Sequence, residues 1–148
     1  MTLATSAITT LIGSVITALN AAITSTAITG IVGVYFGDQE AITTYPVILV
    51  GAPPLLNENF PVMAGETVRD ETYNIPILLF VEYADTLDNT KLLYNLTGAI
   101  RTALRANYLS GYVYLVELLQ TRYAFAQRGE VTIRVSETTI KYTKRIGS

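Results

Sequence analysis

From Ile8 to Ile23, apolar residues recur at three- and four-residue intervals: Ile8, Leu11, Ile12, Val15, Ile16, Leu19 and Ile23. That period lays them along one side of an α-helix, and Ser6 is a suitable N-cap. The other side carries Thr9, Thr10, Ser14, Thr17 and Asn20. It is polar but uncharged, so a neighbour can desolvate it at less cost than a face of Lys and Glu. The period then changes. Residues 31–37 (IVGVYFG) and 45–54 (YPVILVGAPP) are short, β-branched or aromatic, and bounded by Gly or Pro, as strands are. Pro46 falls near a strand start, where a missing amide donor is tolerated. Residues 53–65 hold three prolines and no sustained period. They predict a long loop or arm that displays Leu55, Leu56, Phe60, Val62 and Met63.

Between residues 73 and 83 the odd positions, Tyr73, Ile75, Ile77, Leu79, Val81 and Tyr83, are uniformly apolar, which predicts a strand with one face on the core. On the even face, Pro76, Leu78 and Phe80 lie between Thr72, Asn74 and Glu82. With helices on only one side of the sheet, this second face needs a cover of its own, either another layer or another subunit. Pro76 points to an edge strand, a strand start or a bulge. Next, residues 85–111 predict a helix capped by Asp85, Thr86 or Asp88, with Arg101 and Arg105 in its later turns and Leu92, Leu96, Ile100, Ala103 and Leu104 as its buried stripe. Residues 112–127 are β-branched and aromatic and lead into a hairpin-like QRGE, so they read as a strand. In the last element, Val131, Ile133 and Val135 alternate with polar residues. Ile140 and Tyr142 then resume with shifted parity, which predicts a bulge or turn near residues 136–139.

The expected fold is α+β: a mostly antiparallel sheet backed by two helices, in the order α-β-β-(long loop)-β-α-β-β. At 148 residues the chain suits one domain, residues 1–148, with the apolar arm at about 53–65. Half of the residues are apolar and only 15% are charged, against roughly a quarter in ordinary soluble domains. Burial between subunits would account for so neutral a surface. Residues 1–37 carry no charge at all, yet Thr, Ser, Gly and Asn interrupt the apolar run every few positions and no basic segment precedes it. Neither a signal peptide nor a membrane span is expected. Residues 1–90 hold nine acidic side chains against one base, and residues 91–148 hold nine bases against three acids. Such asymmetry marks a nucleic-acid surface or faces that complement the next copy, unless folding interleaves the halves and erases it.

Chemistry is sparse. Cysteine and histidine are both absent, which removes sulfur-based zinc sites, thiolate nucleophiles and the commonest general base. Asp85 with Asp88, or Asp38 with Glu40, offers paired oxygens, but each pair sits at an element boundary where capping explains it. There is no Walker loop, GxGxxG or GxSxG, and no catalytic, cofactor or metal residue is assigned. Lys141, Lys144 and Arg145 are placed to meet phosphates or to protect an edge strand.

The progression YPVILVGAPP, RDETYNIPILLFVEYADTLDNTKLLYNLTGAIRTAL and RYAFAQRGEVTIRVSETTIKY, spanning roughly residues 31–142, resembles the tail terminator (tail completion) proteins of long-tailed bacteriophages. The resemblance rests on element order and texture. It implies a non-enzymatic virion protein without cofactors, assembled in the host cytoplasm. Such a protein forms a ring, hexameric in that family, at the head-proximal end of the tail tube, where it stops tube growth and offers a docking surface to the head-side connector. Its partners would be further copies of itself, the tube protein, the neck or connector protein and, in contractile tails, the sheath. DNA would pass through the lumen without sequence-specific binding, and no membrane would be involved. Leu55, Leu56, Phe60, Met63, Leu78 and Phe80 are the expected ring or inter-ring contacts. Arg101, Arg105, Lys141, Lys144 and Arg145 are the expected charges facing the lumen or a partner. Two alternatives stay open: another neck component, such as a head-completion or connector protein, and a small-ligand-binding α+β domain with its pocket between sheet and helices.

Overall fold

A computed structural model describes residues 3–37, 44–51, 56–59, 69–84, 86–128 and 130–146, without the side chains of residues 3–8, 56–59, 69, 128 and 146. Helix α1 (Leu3–Thr24) is followed by strands β1 (Gly33–Phe36), β2 (Val47–Val50), β3 (Leu56–Asn59) and β4 (Arg69–Glu82). Helix α2 (Leu87–Leu104) and strands β5 (Leu115–Arg128) and β6 (Val131–Ile146) complete the order. Five strands run β1-β2-β4-β6-β5 across the sheet, and β3 adds to β4 on the same side as β2. Only β1 and β2 are parallel. The α+β class and the mostly antiparallel sheet agree with the sequence pattern. The element order differs by one strand, because Leu56–Asn59, inside the expected arm, pairs with Asp70–Tyr73 of β4. The rest of the arm, with Leu55, Phe60, Val62 and Met63, lies outside the described residues.

Both helices pack on one face of the sheet. Leu11, Ile12, Val15 and Leu19 of α1 and Leu93, Leu96, Ile100 and Leu104 of α2 meet Ile48 and Val50 of β2, the odd residues Tyr73–Val81 of β4, and Ile140 and Tyr142 of β6. The stripe of α2 is rotated from the expected one: Leu93, not Leu92, is buried, and Leu92 is exposed. Helix geometry explains the shift: each four-residue step advances about 40° around the axis, so Leu92, four residues before Leu96, is carried to the edge of a stripe centred on Leu93, Leu96, Thr97, Ile100 and Leu104. Thr86 is the residue that caps α2, its hydroxyl accepting the Asn89 amide at 3.1 Å. On α1, Leu11, Ile12, Val15 and Leu19 are buried as the pattern requires, with Ile16 and Ile23 at its margin.

The expected bulge in β6 is absent; the irregularity is on its neighbour. Leu118 pairs with Ile140 and Thr121 with Thr138, so Leu119 and Gln120 of β5 together face Thr139. β6 itself alternates without interruption. Its odd residues Ile133 and Val135 serve the face away from the helices, and its even residues Ile140 and Tyr142 serve the helix face. What looks like a shift of parity is one straight strand whose two halves supply different cores. Between them, Ser136 and Thr138 are buried under α2. The Ser136 hydroxyl lies 2.8 Å from Thr97 Oγ1, which is itself 2.7 Å from the Leu93 carbonyl. A hydroxyl has one proton, so Thr97 donates to Leu93 and accepts from Ser136.

Pro76 occupies the middle of a central strand, contrary to the expectation of an edge, a start or a bulge. Its carbonyl accepts the Gly51 amide at 2.9 Å. Along a strand the N–H and C=O of one residue point to the same side, so the donor that Pro76 lacks would point there too. On that side β2 pairs only with residues 77–80 of β4 and β3 only with residues 70–73, and the proline fills the gap. A Cβ on Gly51 would lie 2.8 Å from the Pro76 ring, so this close approach requires glycine.

The Tyr142 hydroxyl is buried and makes no hydrogen bond among the described residues, and burial pushes its pKa well above the usual tyrosine range. Tyr142→Phe removes a desolvated group without opening a large cavity. It is expected to stabilise the fold by about 1 kcal/mol, a rise in Tm of about 2–4 °C. Calorimetry of the two proteins side by side checks this; a lower Tm for the phenylalanine variant would mean that the hydroxyl has a partner in solution.

Candidate functional site

The face of the sheet away from the helices carries a second apolar cluster. Val47 and Leu49 of β2, Phe80 of β4 and Ile133 and Val135 of β6 are buried there, with Leu78 partly buried against them. The register forms this cluster, since Val47 pairs with Phe80, Leu49 with Leu78, and Phe80 with Val135. Phe80 is only 7% exposed and is packed within its own chain, which corrects its placement as a side chain left open for a neighbour. Leu78 keeps some access. It borders a depression of about 360 Å³ lined also by Arg122, Ala124, Val135 and Glu137.

The basic residues do not form one patch. Arg101 reaches across from α2 and donates to Thr121 Oγ1 at 2.6 Å, while Arg105 closes the end of the helix and is exposed. Lys141 lies 3.7 Å from Glu117 on the face away from the helices. Lys144 faces the other way and sits 4.0 Å above the Tyr112 ring. Arg145 pairs with Asp70 at 2.8 Å, and Tyr114 donates its hydroxyl proton to the same carboxylate at 2.6 Å. The guanidinium of Arg145 first, and the Tyr114 hydroxyl second, hold the Asp70 carboxyl below its ordinary pKa. Asp70 and Arg145, like Glu71 and Lys144, are direct partners across the β4–β6 ladder. Here the acidic and basic halves of the sequence meet inside one chain, and part of their asymmetry is neutralised there. Among the described residues no group of three or more acidic, His or Cys side chains is placed to hold a metal ion, and no helix is long and apolar enough to cross a membrane.

What the sequence pattern did not reveal is an aromatic row beyond the outer side of α2. Past the bulge, Tyr123 and Phe125 of β5 pair with Ser136 and Arg134, so they share the helix face of the sheet. They remain 47% and 62% exposed. Tyr94 of α2 meets Tyr123 edge to face at 4.9 Å, and Tyr83 meets Phe125 in the same manner at 5.6 Å. The Arg134 guanidinium lies 5.0 Å from the Tyr83 ring centre and 5.2 Å from that of Phe125. Asn89 fixes it there by accepting from Arg134 Nε at 3.0 Å, while its own amide donates to the Glu82 carbonyl. The signal lay in the run RYAFAQ. Tyr123 and Phe125 alternate with Arg122 and two alanines, so the strand has large rings on one face and small or charged residues on the other. Periodicity alone would send the rings to the core.

Compared with known proteins, the chain matches no family model, and no curated protein matches it.

Proposed function

We propose that this chain is a structural assembly subunit that forms a ring of the tail-terminator kind. The ring would sit at the head-proximal end of a phage tail tube, end its polymerisation and present a docking surface for the neck. The observation that carries the proposal is the surface: in a chain with only 15% charged residues, thirteen large hydrophobic side chains among the described residues stay exposed, Leu87, Phe125, Val32, Tyr94 and Phe36 by half or more. An isolated monomer gains nothing from such a surface, whereas one that adds copies of itself buries it. The resemblance over residues 31–142 supplies the kind of ring. The ligand-binding alternative draws less support, because Leu11–Leu19 and Leu93–Leu104 pack directly on the sheet where its pocket would lie. A groove of about 570 Å³ lies elsewhere, on the outer side of α1 against residues 107–110.

The test is sedimentation of the purified protein over a range of concentrations, with electron microscopy of the same samples before and after addition of cognate tail tubes. Rings, or a monomer that becomes a ring on the tube end and halts its growth, are expected. A compact monomer that leaves tubes growing would overturn the proposal.

A further inference from the structure

The sheet ends in two unlike strands. β5, which is 14 residues long, and β1, which has 4, stand at the two ends of the strand order, and no further described strand continues the sheet beyond either. An outer strand presents a row of unpaired N–H and C=O groups, and the ligand it selects is another extended backbone. Natural proteins discourage such pairing with charge, and little of that protection is present here. β1 lies within the uncharged residues 1–37. Of the three charged residues on β5, Glu117 and Arg122 are already held by Lys141 and Glu137 of their own sheet, and Arg128 is the strand's last residue.

The side chains at the two outer strands match as well. Val34 and Phe36 pair with Ile48 and Val50, so Phe36 is on the helix face of the sheet, as Tyr123 and Phe125 are. Phe36 is 50% exposed and Val32, two residues before Val34, 52%. Each outer strand therefore carries exposed apolar groups on the same side, just past the helices. Seven of the thirteen exposed large hydrophobics lie on or beside these strands: Val32, Tyr35 and Phe36 at one, Leu115, Leu119, Tyr123 and Phe125 at the other.

We infer that the outer strand of β5 in one copy receives the outer strand of β1 in the next, continuing the sheet from subunit to subunit. The inference rests on the ring reading and names its joint. A second copy is the occupant because the complementary strand, uncharged and aromatic on the matching face, is built into this same chain. Joining β5 to β5 about a two-fold axis would leave Val32, Tyr35 and Phe36 in water, whereas joining unlike strands covers both sets. Unlike surfaces make a heterologous contact, the kind that closes into a ring.

The absence of native cysteine makes the test clean. Phe36→Cys and Phe125→Cys are made separately and together, and assembled samples are treated with a short bis-maleimide, whose reach tolerates a small error in register. The expected result is a ladder of covalent multimers from the double variant, single bands from each variant alone, and only dimers from an equal mixture of the two. Tyr35→Cys with Ala124→Cys, on the other side of the same joint, repeats the experiment should the first pair disturb folding by circular dichroism. Dimers from Phe125→Cys alone would replace this joint with a two-fold one. Rings visible by microscopy without a ladder from either pair would place the joint elsewhere and leave the ring reading standing. Neither rings nor ladder would overturn both.

Discussion

Phe80→Asp is expected to abolish cooperative folding of the isolated chain. Phe80 is packed among Val47, Leu49, Ile133 and Val135, three of which are no more than 3% exposed. Truncating a buried phenylalanine costs about 3–5 kcal/mol, and desolvating a carboxylate among these apolar side chains adds to that. Together these approach the whole stability of a typical domain, about 5–15 kcal/mol. Circular dichroism and chemical denaturation of the variant should show a broad transition or none. Leu78→Asp is the control, since Leu78 keeps access to solvent and its Cα partner on β6 is Glu137 rather than an apolar residue; the fold should survive there. A Phe80→Asp protein that melts like the wild type but no longer assembles would move Phe80 from the core to a subunit contact.

Phe80 also marks the limit of what the sequence could reveal. Alternation along residues 73–83 correctly separated two faces, because a strand has a strict period of two and both sets of side chains are large. It could not show that the second face finds its own partners. Those come from β2 and β6, brought alongside by a register that has no local signature. The same limit explains β6: Ile140 and Tyr142 are apolar at even positions and Ile133 and Val135 at odd ones. Without knowing that both faces are packed, a slip is the simpler account. The bulge at Leu119 and Gln120 escaped detection for a related reason, since it shows only as a change in what the partner strand opposes. Of the expected contact residues, Leu55, Phe60 and Met63 fall outside the described residues, and Leu56 is described only as backbone paired with Tyr73. Tyr123, Phe125 and Tyr94 were hidden by their own chemistry. A tyrosine or phenylalanine is read as core until the strand that carries it proves to be the last in the sheet.

The uncharged N-terminal helix yields the second large effect. Leu11, Ile12, Val15 and Leu19 of α1 are all fully buried, against β-sheet residues on one side and α2 on the other. Leu11→Ala is expected to cost about 2–5 kcal/mol, seen as a lower denaturation midpoint with an unchanged slope, and Leu19→Asp to prevent folding altogether. On the outer face the expectation reverses. Asn20 is exposed, so Asn20→Lys should change stability by no more than about 0.5 kcal/mol. The contrast decides what the helix is for. If Leu11→Ala leaves the midpoint where it was, α1 is not docked in solution and the uncharged segment must be explained by a partner. If instead Asn20→Lys keeps the fold but prevents rings from forming, the outer face of α1 is itself a contact between subunits, and a sheet joint through β1 and β5 would not be enough to hold the assembly. With the core set by leucine and isoleucine and rings unaffected by a charge at Asn20, the lack of charge on α1 would have no role in the joint, and the assembly energy would be left to the aromatic rows at the two ends of the sheet.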